Sequence, residues 1–245
     1  MNIENVLAAR YASAEMNELF SVKSKIIFER QLWVAILKAQ KQLGLDISDA
    51  VISDYEAVIT KVDLDSINER ERATRHDVKA RIEEFCFLAG HEQIHQGMTS
   101  RDLTENIEQL QIRHGLEIIT NRVIAALARL SALAVEHQDL VMVGRTHNVP
   151  AQITTLGKRF ASTAQELLLA YRRLTDFLNS YPLRGIKGPV GTQQDQLDLF
   201  EGDGQKVSEL EQIIAEHLGF EKVFDSVGQV YPRSLDFEVV SLLLQ

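Results

Sequence analysis

The feature that most constrains the fold is an apolar stripe of unusual length between Leu103 and Ala134. Large apolar residues recur there at helical spacing, Gly115 is the only glycine, and proline is absent. A single helix of roughly 35 residues would be about 50 Å long at 1.5 Å per residue. Because such a rod cannot bury its stripe alone, the sequence predicts a bundle of long helices built from more than one chain.

Shorter helical patterns lie on both sides of this stripe. Apolar spacing predicts them over about 28–43, 48–59, 78–88, 150–177, 204–218 and 234–244. Ser48 is predicted as an N-cap, Gly90 and Gly219 as helix stops, and Pro150 as part of a first helical turn. A glycine-rich connector, 184–192, follows the second long helix.

The predicted fold class is therefore all-α. We expect a small N-terminal helical domain over 1–98 and a central long-helix bundle domain over 99–245. The last apolar pattern runs to residue 244 without a helix stop signal. We therefore expect a truncated chain that carries only part of its bundle.

Composition and charge exclude several classes of function. The chain has 26 basic and 35 acidic residues and a net charge of −9, which argues against a nucleic-acid-binding face but not against a small anionic substrate. The N-terminus lacks the pattern of a signal peptide, and no apolar run approaches the roughly 18–20 residues that span a bilayer. Cys86 is the only cysteine, which fits a reducing cytoplasm.

Residues 91–95 form a literal H-E-x-x-H motif. On a helix, His91 and His95 could bind one zinc ion, and the glutamate between them could act as a general base. Gly90 and Gly97 leave little room for such a helix, and Met98 replaces the glycine of the longer form of the motif. We favour a solvated helix end over a zinc peptidase site.

Two candidate sites lie at the starts of the predicted long helices. Thr99, Ser100 or Asp102 could cap the first long helix, and such a terminus also binds carboxylate or phosphate. His147 lies at the mouth of the second, where an imidazole could protonate a leaving nitrogen. A plain N-cap and a polar loop residue are the favoured interpretations when each motif is taken alone.

Two further candidates contain arginine beside a polar partner. Arg75 and His76 at a predicted helix start could bind an anion, with Asp77 orienting the histidine, or could form a solvated helix end. Arg10 and Tyr11 could hold a phosphate or lie on an exposed N-terminal segment.

Taken in order, the motifs resemble one family. The matching blocks are 10–16 (RYASAEM), 74–78 (TRHDV), 97–100 (GMTS), 146–159, 188–193 (GPVGTQ), 199–207 and 228–233. Together they resemble the adenylosuccinate lyases of the fumarase/aspartase superfamily. The Thr-Ser and Thr-His blocks recur across that superfamily, whereas the blocks around Arg10 and Arg75 point to its purine-nucleotide member.

The resemblance implies an all-α enzyme that eliminates fumarate from adenylosuccinate, and from the matching succinyl-carboxamide intermediate, without metal or cofactor. It implies that His147 is the general acid. Thr99 and Ser100 would hold the succinyl carboxylates, and Arg10 and Tyr11 would hold the 5′-phosphate.

The remaining implied site residues lie between these blocks. Arg75, His76 and Asp77 would line the nucleotide site, and His95 and Gln229 would contact substrate, so that His76, His95 and His147 form the implied catalytic set. The resemblance also implies a homotetramer in which each active site draws residues from three subunits. The alternatives are another lyase of the superfamily, such as an argininosuccinate lyase or a cycloisomerase, and a helical scaffold without catalysis.

The family's catalytic serine belongs to a loop that reads roughly S-S-x-M-P-x-K-x-N, and the sequence contains no such stretch. We therefore expect the chain alone to have negligible lyase activity. An absorbance assay of fumarate release from adenylosuccinate tests this, and clear turnover by the purified chain would contradict it.

Overall fold

The computed structural model describes residues 5–244, which form eleven α-helices and one two-stranded antiparallel sheet. The helices are α1 (Val6–Tyr11), α2 (Ala14–Leu19), α3 (Val22–Gln42), α4 (Asp49–Glu56), α5 (Leu64–Thr74), α6 (Asp77–Ala89), α7 (Ser100–Glu136), α8 (Leu156–Ser180), α9 (Gln194–Leu199), α10 (Gly204–His217) and α11 (Ser234–Leu243). The strands are β1 (Val141–Thr146) and β2 (Val149–Thr155). The predicted all-α class is confirmed.

Local signals in the sequence place several helix ends correctly. The hydroxyl of Ser48 accepts a hydrogen bond from the Val51 N–H at 3.3 Å and caps α4. Gly90 follows α6 in the left-handed conformation, with φ 77°, as its lack of a Cβ allows. The predicted rod is α7, whose 37 residues make a helix about 55 Å long.

The prediction of a helical turn at Pro150 is wrong. Pro150 lies in β2, opposite Arg145 of β1 and next to a register shift after Gly144. Proline is tolerated there because a bulge in a two-stranded ribbon does not require its missing N–H. The second long helix, α8, begins only at Leu156.

The tip of the hairpin is a two-residue turn made by His147 and Asn148. Both residues have positive φ, 48° and 63°, which is the signature of a type I′ turn. This turn matches the right-handed twist of paired strands, and asparagine tolerates it well. The mouth of the second long helix is therefore an extended hairpin.

Contacts group the chain into two compact units, of which the first comprises Met1–Arg113 and Tyr181–Pro232. Its core packs α3, α4 and α6 around buried aromatic rings. The rings of Tyr55 and Phe85 are 4.9 Å apart, and Trp33 stacks on Phe85 at 6.1 Å. The domain boundary near residue 98 stays a prediction.

A fully buried ion pair joins α3 to α6 in this unit. The guanidinium of Arg30 pairs with the carboxylate of Glu84, and it also donates to the carbonyls of Val58 and Ile59 at 2.8 and 3.0 Å. Glu84 accepts a further hydrogen bond from the Asp63 N–H at 3.0 Å. The pair therefore holds the loop between α4 and α5 against the two core helices.

The second unit comprises His114–Ser180 and Arg233–Gln245. Here α7 ends against the start of α8, where a Cβ added to Gly157 would lie 2.3 Å from the Ala134 carbonyl oxygen. Only glycine allows this approach, and its N–H donates to the His137 carbonyl at 2.9 Å. The hairpin projects from this junction of the two long helices.

The part of α7 from Glu117 to Glu136 has no buried residue in this chain. By length and composition α7 is apolar enough to cross a membrane, which the sequence analysis did not expect. Arg122 and Arg129 interrupt the apolar run. The core helix of a soluble bundle passes the same test, since it too presents apolar residues on most of its surface.

Replacing Glu84 by alanine should lower the free energy of unfolding by about 3–5 kcal/mol, because it leaves the Arg30 charge buried without its partner. The neighbouring Glu83 is a matched control, because it is partly exposed and lies 3.8 Å from Arg70 and 3.9 Å from Lys79. Glu83→Ala should change stability by less than about 1 kcal/mol. Urea unfolding measures both, and equal small losses would contradict the structural role of the pair.

Candidate active site

The first turns of α7 carry a buried polar stripe that the apolar pattern did not reveal. Asp102, Glu105, Asn106 and Gln109 are fully buried and follow the i, i+3, i+4, i+7 spacing that places side chains on one face of a helix. Buried polar groups must find hydrogen-bond partners. The sequence signal that could have revealed this stripe is the repeat of polar residues at helical spacing inside an otherwise apolar helix.

Asp102 joins the start of α7 to the glycine-rich connector. One carboxylate oxygen accepts from the Arg184 guanidinium and from the N–H groups of Lys187 and Gly188, at 2.9 and 3.0 Å. The other accepts from the Thr99 N–H at 2.8 Å. Thr99 thus occupies the N-cap position of α7, and Asp102 reaches back to it as in a capping box.

Two side-chain amides hold the connector further along α7. Asn106 donates to the Gly185 carbonyl at 3.0 Å and accepts from the Gly185 N–H at 2.9 Å. Gln109 donates to the Pro182 carbonyl at 2.9 Å and accepts from the Arg184 N–H at 2.6 Å. The side-chain amides of α7 therefore satisfy backbone N–H and carbonyl groups of the connector and of Pro182 just before it.

The same elements fix the loop that carries Gln229. Arg184 donates to the Gly228 carbonyl at 3.3 Å, and the Tyr231 N–H donates to Glu105 at 3.2 Å. Gln229 lies exposed between these two anchored residues. The structure thus places Gln229 in a loop held against the first turns of α7.

The backbone around Gly191 explains why the connector has a glycine at this position. Its φ is 83°, and an added Cβ would lie 1.8 Å from the carbonyl oxygen of Val227. Any larger residue would push the connector away from the loop that leads to Gln229.

His95 lies in the loop between α6 and α7, with a φ of 67°. Its Nδ1 atom accepts a hydrogen bond from the Trp33 indole N–H at 3.0 Å. Burial, opposed by the charge of Asp102 and reinforced by His76, lowers the pKa of His95 to about 4. His95 therefore lies within electrostatic reach of Asp102, in the first turn of α7, and of His76, at the start of α6.

Residues 91–95 are not helical, so neither the helical zinc geometry nor the predicted solvated helix end is present. The His91 ring bonds Asp54 at 2.8 Å, and the His95 ring bonds Trp33. Among residues 5–244, no cluster of three or more His, Cys, Asp or Glu side chains could hold a metal ion.

Arg75, His76 and Asp77 lie at the start of α6, as predicted. Arg75 ends α5 in the left-handed conformation, and His76 caps α6 by accepting from a backbone N–H at 3.2 Å. Asp77 pairs at 3.1 Å with Arg81, which lies 2.6 Å from the buried Glu29. A buried carboxylate thus supports the exposed end of α6.

The structure brings part of the predicted site together. Within the first unit, the elements that carry His95, Thr99, Ser100 and Gln229 meet around the N-terminus of α7, and His76 lies close enough to His95 to affect its pKa. Arg10 and Tyr11 lie exposed at the end of α1 in the same unit. His147 is an exposed residue of the hairpin in the second unit.

Replacing Asp102 by asparagine should loosen the connector, because Arg184 loses its countercharge inside the protein. Arg184 and Lys187 are buried in the wild-type chain and should resist trypsin. In Asp102→Asn, cleavage after both residues should become at least about tenfold faster, since a destabilisation of about 1.4 kcal/mol or more populates the open form. Mass spectrometry of timed digests measures both sites.

The exposed pair of Arg233 and Asp236, 3.5 Å apart, provides the control. Asp236→Asn should leave cleavage at Arg184 and Lys187 unchanged. Equal protection in Asp102→Asn and wild type would show that the connector does not depend on Asp102.

Comparisons with known proteins agree with this architecture. The chain is 38% identical over 242 residues to the adenylosuccinate lyase of Schistosoma mansoni, covering 98% of this chain and 50% of that protein. It is 39% identical over 242 residues to the adenylosuccinate lyase of Schizosaccharomyces pombe, covering 97% and 50%. The chain thus spans about half the length of these relatives.

Solved structures of related fold include a fumarate lyase from Mesorhizobium sp. BNC1, with a TM-score of 0.79 and 25% identity over 95% of this chain and 53% of that one. A 3-carboxy-cis,cis-muconate lactonizing enzyme from Pseudomonas putida has a TM-score of 0.80 at 20% identity, over 98% and 54%, which shows the fold alone. A family model described as "Lyase" matches residues 9–223. Because this match covers most of the chain, the chain belongs to the lyase family.

Proposed function

We propose that the gene product carrying these residues is an adenylosuccinate lyase. It would release fumarate from adenylosuccinate to give AMP, and from the succinyl-carboxamide intermediate of purine synthesis. The observation that carries the proposal is the N-terminus of α7, where Thr99 and Ser100 are held beside His95 and the Gln229 loop. The similarity to adenylosuccinate lyases over nearly the whole chain supports it.

The α7 terminus has the properties that a carboxylate-binding site requires. Ser100 and Arg101 lie in the first turn, so their N–H groups have no intrahelical acceptor and can donate to an anion. The hydroxyls of Thr99 and Ser100 add two donors. Arg184 neutralises the charge of the buried Asp102, so the Asp102 carboxylate does not repel a substrate carboxylate bound at the α7 terminus.

These donors suit β-elimination of fumarate. A base removes a proton beside a carboxylate, and negative charge builds on that carboxylate in the transition state. Fixed N–H and O–H donors stabilise this charge without reorganising, which is commonly the largest contribution to catalysis. We propose that Thr99 and Ser100 supply them.

His147 is proposed as the general acid that protonates the departing purine nitrogen. The two-residue turn holds the His147 imidazole at the tip of the hairpin, where it is exposed in this chain. Histidine is the side chain best able to give up a proton near neutral pH. An exposed acid on a projecting hairpin suits a site that a neighbouring subunit completes.

A homotetramer is proposed to bring these parts together. The helices of the second unit expose large apolar side chains: Ile124 and Val135 on α7, Leu169 on α8 and Val240 on α11. Extended apolar surface on a soluble protein marks an interface with another chain.

The free, buried Cys86 supports a cytoplasmic location.

The nucleotide is proposed to lie toward the N-terminal elements. Arg10 and Tyr11, exposed at the end of α1, would bind the 5′-phosphate, for which a guanidinium and a phenol hydroxyl are suitable donors. Arg75, His76 and Asp77 at the start of α6 would line the nucleotide site. Their exposure in this chain is compatible with contact to substrate.

Replacing His147 by asparagine in the gene product should lower kcat for adenylosuccinate by about 10²–10⁴-fold, because asparagine keeps the turn but cannot donate the proton. The control is Asn148→Gly, which preserves the type I′ turn and should leave activity near that of wild type. Absorbance of adenylosuccinate follows the reaction.

The same assay tests the alternatives. A wild-type protein that cleaves argininosuccinate and not adenylosuccinate would identify another lyase of the superfamily. A protein inactive on both, although correctly assembled, would favour a scaffold. A loss smaller than about tenfold in His147→Asn would remove His147 from the chemistry.

A further inference from the structure

A buried tryptophan on α3 touches one of the proposed site histidines. The Trp33 indole N–H donates to Nδ1 of His95 at 3.0 Å, and the two rings are nearly perpendicular, at 79°. An indole N–H can only donate, so the Nδ1 atom that it meets must offer a lone pair. The proton of a neutral imidazole then has to sit on the other nitrogen, Nε2.

We infer that Trp33 is a positioning residue that holds His95 as the neutral tautomer with its proton on Nε2. His95 would then present a fixed N–H donor to the substrate, and it would not deliver a proton. The contact with substrate rests on the proposed function, whereas the tautomer follows from the pair of rings alone.

The surroundings hold both rings in place. Trp33 is almost fully buried and stacks on Phe85, which in turn packs against Tyr55. The Tyr55 hydroxyl donates to the His91 carbonyl at 2.6 Å and accepts from the Gln93 N–H at 3.2 Å. Tyr55 therefore holds the loop before α7 near its start, and Trp33 holds it near its middle.

The backbone of His95 shows that this grip matters. A φ of 67° is unfavourable for a residue with a Cβ and costs on the order of 1 kcal/mol or more. Such a conformation persists only where the surroundings enforce it. The burial of Ile94, directly before it, and the indole hydrogen bond to the His95 ring supply that constraint.

Burial favours the neutral ring of His95 over the opposing effect of the nearest negative charge. Asp102 faces it from α7 and His76 faces it from the start of α6, and the indole approaches from α3. Burial outweighs the attraction of Asp102 and lowers the pKa of His95 to about 4. Protonation of the ring would also place a hydrogen on Nδ1. That N–H would face the Trp33 indole N–H, and the hydrogen bond between the two side chains would be lost.

His95 and His147 therefore take different parts in the proposed reaction. A neutral imidazole that stays neutral through the cycle can orient a carboxylate, phosphate or ring nitrogen through Nε2–H. A solvent-accessible imidazole such as that of His147 can instead exchange a proton. Trp33 enforces this division without touching the substrate itself.

Nitrogen-15 NMR of the chain labelled at histidine tests the tautomer directly. The seven histidines give separable pairs of ring nitrogens, and the spectrum of His95→Gln identifies the His95 signals. At pH 7, Nδ1 of His95 should be unprotonated and Nε2 protonated. A protonated Nδ1, or a charged ring, would overturn the inference without any reference to enzyme activity.

Trp33→Phe should release the lock, because it retains an aromatic ring but removes the N–H donor. His95 should then show a mixture of tautomers and titrate at a higher pH. Phe85→Leu is the control, since it weakens packing around Trp33 and leaves the hydrogen bond intact. An unchanged His95 in Trp33→Phe, with helix content retained, would contradict the positioning role.

Kinetics of the gene product separate a donor from an acid. The terminal N–H₂ of glutamine reaches the place of Nε2, whereas that of asparagine reaches only the place of Nδ1. His95→Gln should keep activity within about tenfold, and His95→Asn should lose about 10²–10³-fold, as expected for one lost donor. Equal losses would contradict the donor role, while an inactive wild type would overturn the proposed function and leave the NMR result valid.

Discussion

The buried pair of Asp102 and Arg184 is the interaction on which the rest of the first unit depends. Two charges removed from water are stable only if further hydrogen bonds replace their hydration. Besides the bond from Arg184, Asp102 accepts three hydrogen bonds from backbone N–H groups, and Arg184 donates to carbonyls of Gly185, Gly188 and Gly228. The pair thereby fixes three backbone segments at the place where α7 begins.

This arrangement connects stability to the proposed chemistry. An anion-binding terminus works only if its donors keep their positions while charge develops on the substrate. Thr99 is held by Asp102, His95 by Trp33, and the Gln229 loop by Arg184 and Glu105. These three proposed contacts are thus supported by buried residues behind them, as preorganised sites require.

Sequence patterns predicted seven of the eleven helices that the structure describes, since amphipathic spacing and glycine stops are local signals, but they did not predict α1, α2, α5 and α9. The 37-residue helix, the Ser48 cap and the Gly90 stop all follow from them. The hairpin was not predicted, because a proline such as Pro150 directly before a helical pattern resembles the first turn of a helix. Cross-strand pairing, which places Pro150 opposite Arg145, is a non-local property that spacing along one strand does not contain.

The site was predictable only in part. Resemblance to a family pointed to His95, Thr99 and Gln229, but not to the residues behind them. Asp102 was considered only as a cap, and Trp33 was not singled out, because their partners are 82 and 62 positions away in sequence. The motif at 91–95 misled in the opposite way, since its zinc geometry presupposes a helix that the loop does not form.

The central claim is that His147 of one subunit completes a site built around Thr99 and Ser100 of another. Subunit complementation tests it most directly, by mixing two inactive variants of the gene product, His147→Asn and Thr99→Ala/Ser100→Ala, under conditions that exchange subunits. Mixed oligomers should regain lyase activity, because some sites then receive only intact parts. Mixed oligomers that form and stay inactive at every ratio would contradict it.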